Sequence, residues 1–361
     1  MANILFITNS LSFGGAAKML SFVAKQLDAR GHRVCIVNRK ATADTSGYQR
    51  HIPETILVKT TSSSSKVKQI REITKIAKGF GADVIIGFTS FPNAFAKVVG
   101  LILGKPSIMS ERGDPERTGL GKSFKDKILL ALINHSAGGV FQTEGARAFY
   151  GKGLQRRGIV IPNPIFAEGE IPSISYEERE KSVVSVARFE NTQKRYDVML
   201  DAFKLFSQQY DAYYLKLYGS GPDEELVRRW VDERGLTEKV KFMGLTTKSM
   251  QDTCRDGMFI ITSDYEGISN ALLEAMAVGL PCVSTDHSPG GGRLLIQDHH
   301  NGLLVPTGDA AAASQAMCEF ASNQELAEMC GKNAREVLDR FAPERIIDMW
   351  EQYIRKICNK T

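Results

Sequence analysis

"MFIITSDYEGISNALLEAMAVGLPCVST", residues 258–285, runs from an apolar segment through a glycine-bearing loop and a helical segment into a second apolar segment. That order reads as a strand, a crossover helix and a parallel strand. The loop carries Glu266, and a second glutamate, Glu274, follows eight positions on among Ala271, Leu272, Leu273, Ala275, Met276 and Ala277. A helix apolar on nearly every face is expected to be buried, and a buried carboxylate needs hydrogen-bond donors.

The same alternation extends in both directions. "SVVSVARF", "YLKLYG", "VKFMG" and "GLLVP" read as further strands of the second half. "NILFIT", "RVCIV", "DVIIGF", "PSIMS" and "GGVFQT" read as strands of the first, with "AKMLSFVAKQLDARG" a helix ended by Gly31. Between the halves the proline-rich segment 162–175 loses all periodicity and is the expected linker. The expected fold class is α/β: two Rossmann-like, doubly wound domains facing across a cleft. The expected domains are residues 1–165 and 166–342, with an amphipathic helix over about 343–361 that returns to pack on the first domain.

The chain has 361 residues, 43% hydrophobic and 24% charged, an ordinary composition for a globular protein of two domains. No apolar run approaches the roughly 18 residues of a membrane span, and the start "MANILFITNS" lacks the basic opening of a signal peptide. Six scattered cysteines without a C-x-x-C pair suggest neither a zinc site nor a disulfide framework. These features predict a cytoplasmic protein. Charge is shared unevenly, residues 1–165 holding 24 Lys and Arg against 10 Asp and Glu, and residues 166–361 holding 22 against 31. A basic first half fits an anionic partner: a membrane surface, nucleic acid or a phosphorylated substrate.

Ligands of doubly wound sheets bind beyond the carboxyl ends of the strands, so the motifs there carry the functional expectation. "SFGGAAKML" places Gly14 and Gly15 before a helix whose N-terminus attracts anions, but Asn38 and Arg39 stand where a dinucleotide site needs an acid. "VARFENTQKRYD" puts Arg188 and Lys194 on one loop, a fork and a point charge suited to a diphosphate. "YGSGPDEEL" leaves room for a ligand at Gly219 and Gly221. Ser269 or Asn270 opens the helix that follows Glu266, Gly267 and Ile268, and Glu274 lies about one turn inside it. The two glutamates are placed to accept hydrogen bonds from the two sugars of one nucleotide sugar. Surface charge and ordinary turn chemistry remain open for each motif taken singly.

Together, "GGAAK", "VARFENTQKRYD", "YGSGP", "FMG", "EGISNALLE", "AMAVGLPCVST" and "NGLLVP" resemble the retaining family 4 glycosyltransferases of the GT-B fold over nearly the whole chain. The resemblance implies that Arg188 and Lys194 bind the donor diphosphate, Glu274 the ribose and Glu266 the donor sugar. It places Gly15, Gly219, Gly244, Gly267, Ile268, Ser269 and Asn270 in the nucleotide-sugar site. Where many members have a histidine after the fourth N-domain strand, this chain reads "IMSERGDPER". Similar segments occur in relatives that extend lipid-linked or capsular oligosaccharides. Glu111 thereby becomes a catalytic candidate beside Glu266, Arg188 and Lys194, and Arg112 an acceptor contact. "RYD" replaces the commoner K-G-x-D, so Arg195 is expected to alter the phosphate loop. "SPGGGRLLI", residues 288–296, is a further glycine-rich turn suited to approach the donor sugar.

The resemblance implies transfer of a hexose or N-acetylhexosamine from a UDP-linked donor, with retention, to a growing glycan acceptor, polyprenyl-diphosphate-linked in some relatives. No cofactor is expected beyond the donor substrate. No Asp-x-Asp occurs, so Arg188, Lys194 and helix N-termini rather than a metal are expected to stabilise the leaving group. A retaining glycosidase, a nucleotide-sugar epimerase or hydrolase, and a non-catalytic sugar-nucleotide-binding subunit stay open as alternatives. Nucleic acid is not an expected partner. The basic, amphipathic surface with Lys122, Lys125 and Lys127 beside "ILLALI" predicts peripheral docking on the anionic inner face of the cell membrane.

Overall fold

The computed structural model describes residues 1–12, 14–40, 48–166 and 169–359. The chain divides into two compact units, residues 1–163 with the chain from Glu344 onward, and Pro164–Pro343.

The first unit is built on seven strands: β1 (Asn3–Thr8), β2 (Arg33–Asn38), β3 (Leu57–Thr60), β4 (Val84–Phe88), β5 (Ser107–Ser110), β6 (Gly138–Phe141) and β7 (Ile159–Val160). All pair in parallel, in the order β3-β2-β1-β4-β5-β6-β7. Ile4, Leu5, Phe6 and Ile7 of β1 and Val84, Ile85, Ile86 and Phe88 of β4 are wholly buried, as central parallel strands covered on both faces must be. The order reverses between β1 and β4, and the loops after these strands open there.

The second unit repeats the plan with β8 (Ser182–Val186), β9 (Tyr214–Tyr218), β10 (Val240–Gly244), β11 (Met258–Ile261), β12 (Cys282–Thr285) and β13 (Leu303–Val305). Its order is β10-β9-β8-β11-β12-β13, again parallel, with the reversal between β8 and β11. Two apolar layers sandwich this sheet. One holds Phe189, Tyr196, Phe203, Phe206 and Phe320, the other Leu272, Leu273, Met276, Leu295 and Phe341.

The final helix, Pro343–Cys358, buries Ile346, Ile347, Trp350, Tyr353, Ile354 and Ile357, a stripe at helical spacing. That stripe is received by the first unit. The Trp350 ring stacks on Phe88 at 5.9 Å and 15°, and the Tyr353 hydroxyl accepts from the Gly139 N–H at 2.9 Å. A Cβ at Gly138 would meet that hydroxyl oxygen at 2.3 Å, so only glycine fits. Arg30 bonds Asp348 at 2.6 Å and Glu351 at 2.8 Å, while His32 Nε2 meets Glu351 at 3.0 Å.

Candidate functional site

The structure gathers most of the expected donor residues at the carboxyl edge of the second sheet, around the β8/β11 reversal. Arg188 follows β8, Gly219 follows β9, Gly244 closes β10, and Glu266 follows β11. Arg188, Gly219, Gly221, Leu245 and Thr246 line a cavity of ≈ 430 Å³. Both glycines are sterically required. A Cβ at Gly219 would stand 1.9 Å from the Ala187 carbonyl oxygen, and one at Gly221 2.3 Å from that of Phe189. Gly219 also has φ 141°, a conformation that side chains rarely adopt, and its N–H donates to the Gly244 carbonyl at 2.8 Å. The loops after β8 and β9 therefore pack backbone to backbone beside the cavity, with exposed Leu245 among its lining residues.

The Arg188 side chain is 67% exposed, and its contact with Glu190 is a loose 3.6 Å. It is a cation at low desolvation cost. Lys194 is different. Its side chain is 13% exposed and its ammonium pairs directly with Glu266, whose side chain is 9% exposed. Ser263 Oγ also donates to Glu266, at 2.6 Å. Burial pushes the Glu266 carboxyl up, but the Lys194 ammonium, followed by His287 and the two hydrogen bonds, outweighs it and holds the carboxyl below its ordinary value.

The two loops are laced together by more than this pair. The Asp264 N–H donates to Gln193 O at 2.9 Å, Gln193 Nε2 to Tyr265 O at 3.0 Å, and Thr262 Oγ1 to Lys194 O at 2.9 Å. Arg195 adds a double clamp, bonding Asp264 at 3.0–3.1 Å and Asp197 at 2.9–3.3 Å. Its φ of 52° lies in the left-handed region. That is the physical reason glycine suits this position in K-G-x-D. Here an arginine accepts the strained backbone and ties the β8 loop to the β11 loop.

Glu274 corrects an expectation. It is half-buried, not buried: Asn270, Ala271 and Glu274 form the one half-open stripe of helix Asn270–Ala277, while Leu272, Leu273, Ala275, Met276 and Ala277 are buried. The carboxylate accepts from Ser249 Oγ, the first residue of helix Ser249–Thr253, which follows the cavity-lining Leu245 and Thr246. Ser269 is the N-cap, its Oγ accepting from Leu272 N–H at 3.3 Å. Gly267, Ile268 and Ser269 are buried. The glycine-rich turn from residue 288 packs on the Glu266 loop: a Cβ at Gly291 would come within 1.9 Å of the Gly267 carbonyl.

His287 belongs to this edge and was not foreseen. Its signal in the sequence is weak, one histidine in "TDHSPGGG" without a partner at motif spacing.

The remaining candidates lie in the first unit. Gly15 opens helix Gly15–Ala29, with Gly14 at φ 128° as N-cap. Glu111 is 2% exposed, and its own chain occupies both oxygens: Tyr150 OH donates at 2.7 Å and the Arg112 N–H at 2.9 Å. Burial pushes this carboxyl up against the pull of those donors. Arg112 donates to Asn163 and lies 5.9 Å from the Phe88 ring centroid. In this geometry the pair frames the loop after β5. Lys122, Lys125 and Lys127 are exposed around helix Phe124–Asn134, whose Phe124 is 79% and Ile128 56% exposed, while Ile133 is buried. Among the described residues, no group of three His, Cys, Asp or Glu is arranged to hold a metal ion. No described helix is long and apolar enough to cross a membrane.

Comparison with known proteins gives this edge its context. Residues 13–168 match the model of Glycosyltransferase Family 4, and residues 168–337 that of Glycosyl transferases group 1. The putative colanic acid biosynthesis glycosyltransferase WcaL of Escherichia coli is 33% identical over 178 residues, 46% of this chain and 42% of WcaL. An α-1,4-N-acetyl-D-galactosaminyltransferase of Campylobacter jejuni, named for a GalNAc-bearing diNAcBac-PP-undecaprenol, is 22% identical over 99% of this chain and 100% of its own. The chain spans less than half the length of the first curated relatives it matches, 21%, 45% and 42%. Among solved structures, Anabaena HepE in complex with UDP superposes with a TM-score of 0.81 at 17% identity, covering 98% of this chain and 100% of HepE. Sucrose-phosphate synthase from Thermosynechococcus elongatus gives 0.78 at 19%, covering 100% of both chains. The fold is thus the pair of Rossmann-like domains of GT-B enzymes. Matched in succession from residue 13 to residue 337 by these two models, the chain belongs to the family 4 glycosyltransferases.

Proposed function

We propose that the protein is a retaining glycosyltransferase that moves a hexose or N-acetylhexosamine from a UDP-sugar to a growing, lipid-linked glycan in surface polysaccharide or oligosaccharide synthesis. The observation that carries this is the β8/β11 reversal, where an exposed Arg188 and a pair of half-buried Lys194 and buried Glu266 stand on laced loops beside a glycine-lined cavity. The cavity suits the nucleoside, and Glu274, tied to the Ser249 helix that follows the lining Leu245 and Thr246, serves as the ribose acceptor. Arg188 and Lys194 face the diphosphate, and Glu266 the donor sugar. In the transfer, the bond from the anomeric carbon to the phosphate oxygen breaks as the acceptor hydroxyl oxygen bonds the same face. The hydroxyl proton passes to the leaving phosphate. The cations stabilise the charge that develops there, so no metal is required. HepE is described as a complex with UDP, and the Campylobacter relative is named for a polyprenol-linked acceptor; both support the choice of substrates.

Purified protein incubated with a panel of UDP- and GDP-sugars and a polyprenyl-diphosphate-linked acceptor should transfer from one UDP-sugar, with unchanged rate in EDTA. An epimerised sugar without acceptor, or loss of rate restored by magnesium or manganese, overturns the corresponding part of the proposal.

The acceptor side is proposed to dock on an anionic bilayer through helix Phe124–Asn134. Exposed Phe124 and Ile128 offer apolar contact, and Lys122, Lys125 and Lys127 each contribute about 1 kcal/mol near such a surface. Cosedimentation with liposomes should rise with anionic lipid and fall with salt. Reversing the three lysines to glutamate should abolish it, and equal recovery in every supernatant would refute docking.

A further inference from the structure

His287 is wholly buried, and neither ring nitrogen has a hydrogen-bond partner among the described residues. Leaving such a group unpaired carries the full cost of its desolvation, so its place needs a reason. It sits on the loop after β12, stitched to the loop after β11: the Glu266 N–H donates to Ser288 O at 2.7 Å, and the Ser288 N–H to Asp264 O at 3.2 Å. A Cβ at Gly291 would come 2.8 Å from His287 Cε1 and 1.9 Å from the Gly267 carbonyl, so the imidazole and the Glu266–Gly267 turn press on the same glycine.

Glu266 presents a complementary difficulty. Its buried carboxylate is held by Lys194 and Ser263. A donor diphosphate would compete for the Lys194 ammonium, leaving the carboxylate short of a donor. Granted the UDP-sugar site proposed above, we propose that His287 is a positioning residue, becoming the hydrogen-bond partner of Glu266 when the donor diphosphate draws Lys194 away. The exchange keeps Glu266 ionised and aimed while Lys194 serves the leaving group.

The charges around the ring pull in both directions. Burial holds His287 below its ordinary value and the Lys194 ammonium adds to it, while the Glu266 carboxylate, the Ser288 backbone, whose contact with the ring falls short of hydrogen-bond geometry, and Asp286 oppose it. The Ser288 carbonyl already accepts from Glu266. A bound diphosphate neutralises the ammonium and leaves the carboxylate beside the ring, so the imidazole becomes easier to protonate.

The test is a pH titration of the full chain carrying ¹³C-labelled histidine, followed by NMR with and without UDP, with binding measured by calorimetry on the same sample. The His287 signal is assigned by its loss in His287→Gln. Saturating UDP should raise the His287 midpoint by about one pH unit. Lys194→Met should raise it in the absence of UDP. UDP binding with an unmoved His287 midpoint overturns the exchange alone; absence of UDP binding overturns the donor site and the exchange with it.

Discussion

Lys194→Ala lowers donor turnover by on the order of 10²–10³-fold, the size of effect seen when one preorganised charge partner of a developing anion is removed. The loss has two sources in this structure. Lys194 is the half-buried cation beside the proposed diphosphate position, and it is also the partner that keeps Glu266 ionised. Breaking a buried pair from one side costs about 3–5 kcal/mol because the remaining charge is stranded. The second unit should therefore melt at lower temperature as well. The pH dependence follows from Glu266. A carboxyl held below its ordinary value contributes stability that is present above its unfolded pKa and is lost as pH falls through the folded one. In Lys194→Ala burial acts with less opposition, so the carboxyl moves up and its protonation reaches higher pH. Arg188→Ala, removing an exposed cation, should weaken UDP binding without that stability loss. Steady-state kinetics with UDP-sugar and denaturation at several pH values check both halves. Wild-type turnover in Lys194→Ala would remove the lysine from the mechanism.

Trp350→Ala destabilises the first unit by about 3–5 kcal/mol, the range for deleting a large buried aromatic side chain. Trp350 is fully buried and stacked on Phe88, the last residue of the central strand β4. Because the two units have separate cores, the transition of the second should hold its midpoint, which makes the expected result a split of two transitions. Tryptophan fluorescence reports the second through Trp230, which packs on that unit's core; circular dichroism reports both. An unchanged first transition would mean the final helix contributes nothing to that core. Acid should loosen the same helix. The hydrogen bond from His32, followed by those from Arg30 and Arg355, holds Glu351 at about 2, so its contribution is lost as pH falls from the ordinary carboxylate range toward 2.

The strands most readily legible in the sequence were those buried on both faces, because a continuous apolar run bounded by glycine or polar residues has few other destinies. All six strands of the second sheet were marked, although the edge strand β10 buries only Val240 and was legible through its flanking glycine. β3 and β7 were not. β3, "LVKT", is an edge strand whose residues are exposed or half-exposed, and β7 is two residues long, within a segment that otherwise lacks periodicity. Neither buries enough apolar surface to leave a pattern.

The sequence by itself determined the parallel architecture, the family and the residue types at the strand ends, because buried strands, obligatory glycines and charged loops leave local signatures. Spacing alone also placed Arg188, Lys194 and Glu266 on loops at strand ends. Which charges meet was decided only by the tertiary structure. The β8/β11 reversal brings Lys194 to Glu266, 72 positions apart, and Arg195 to Asp264, 69 apart. It turns Glu274 toward Ser249 on a half-open stripe, gives both oxygens of Glu111 to Tyr150 and Arg112, and sets His287, without a hydrogen-bond partner among the described residues, beside the Glu266 loop. These outcomes depend on burial and on contacts across strands distant in sequence, and no local pattern encodes the solvent or the partner that a charged side chain finds.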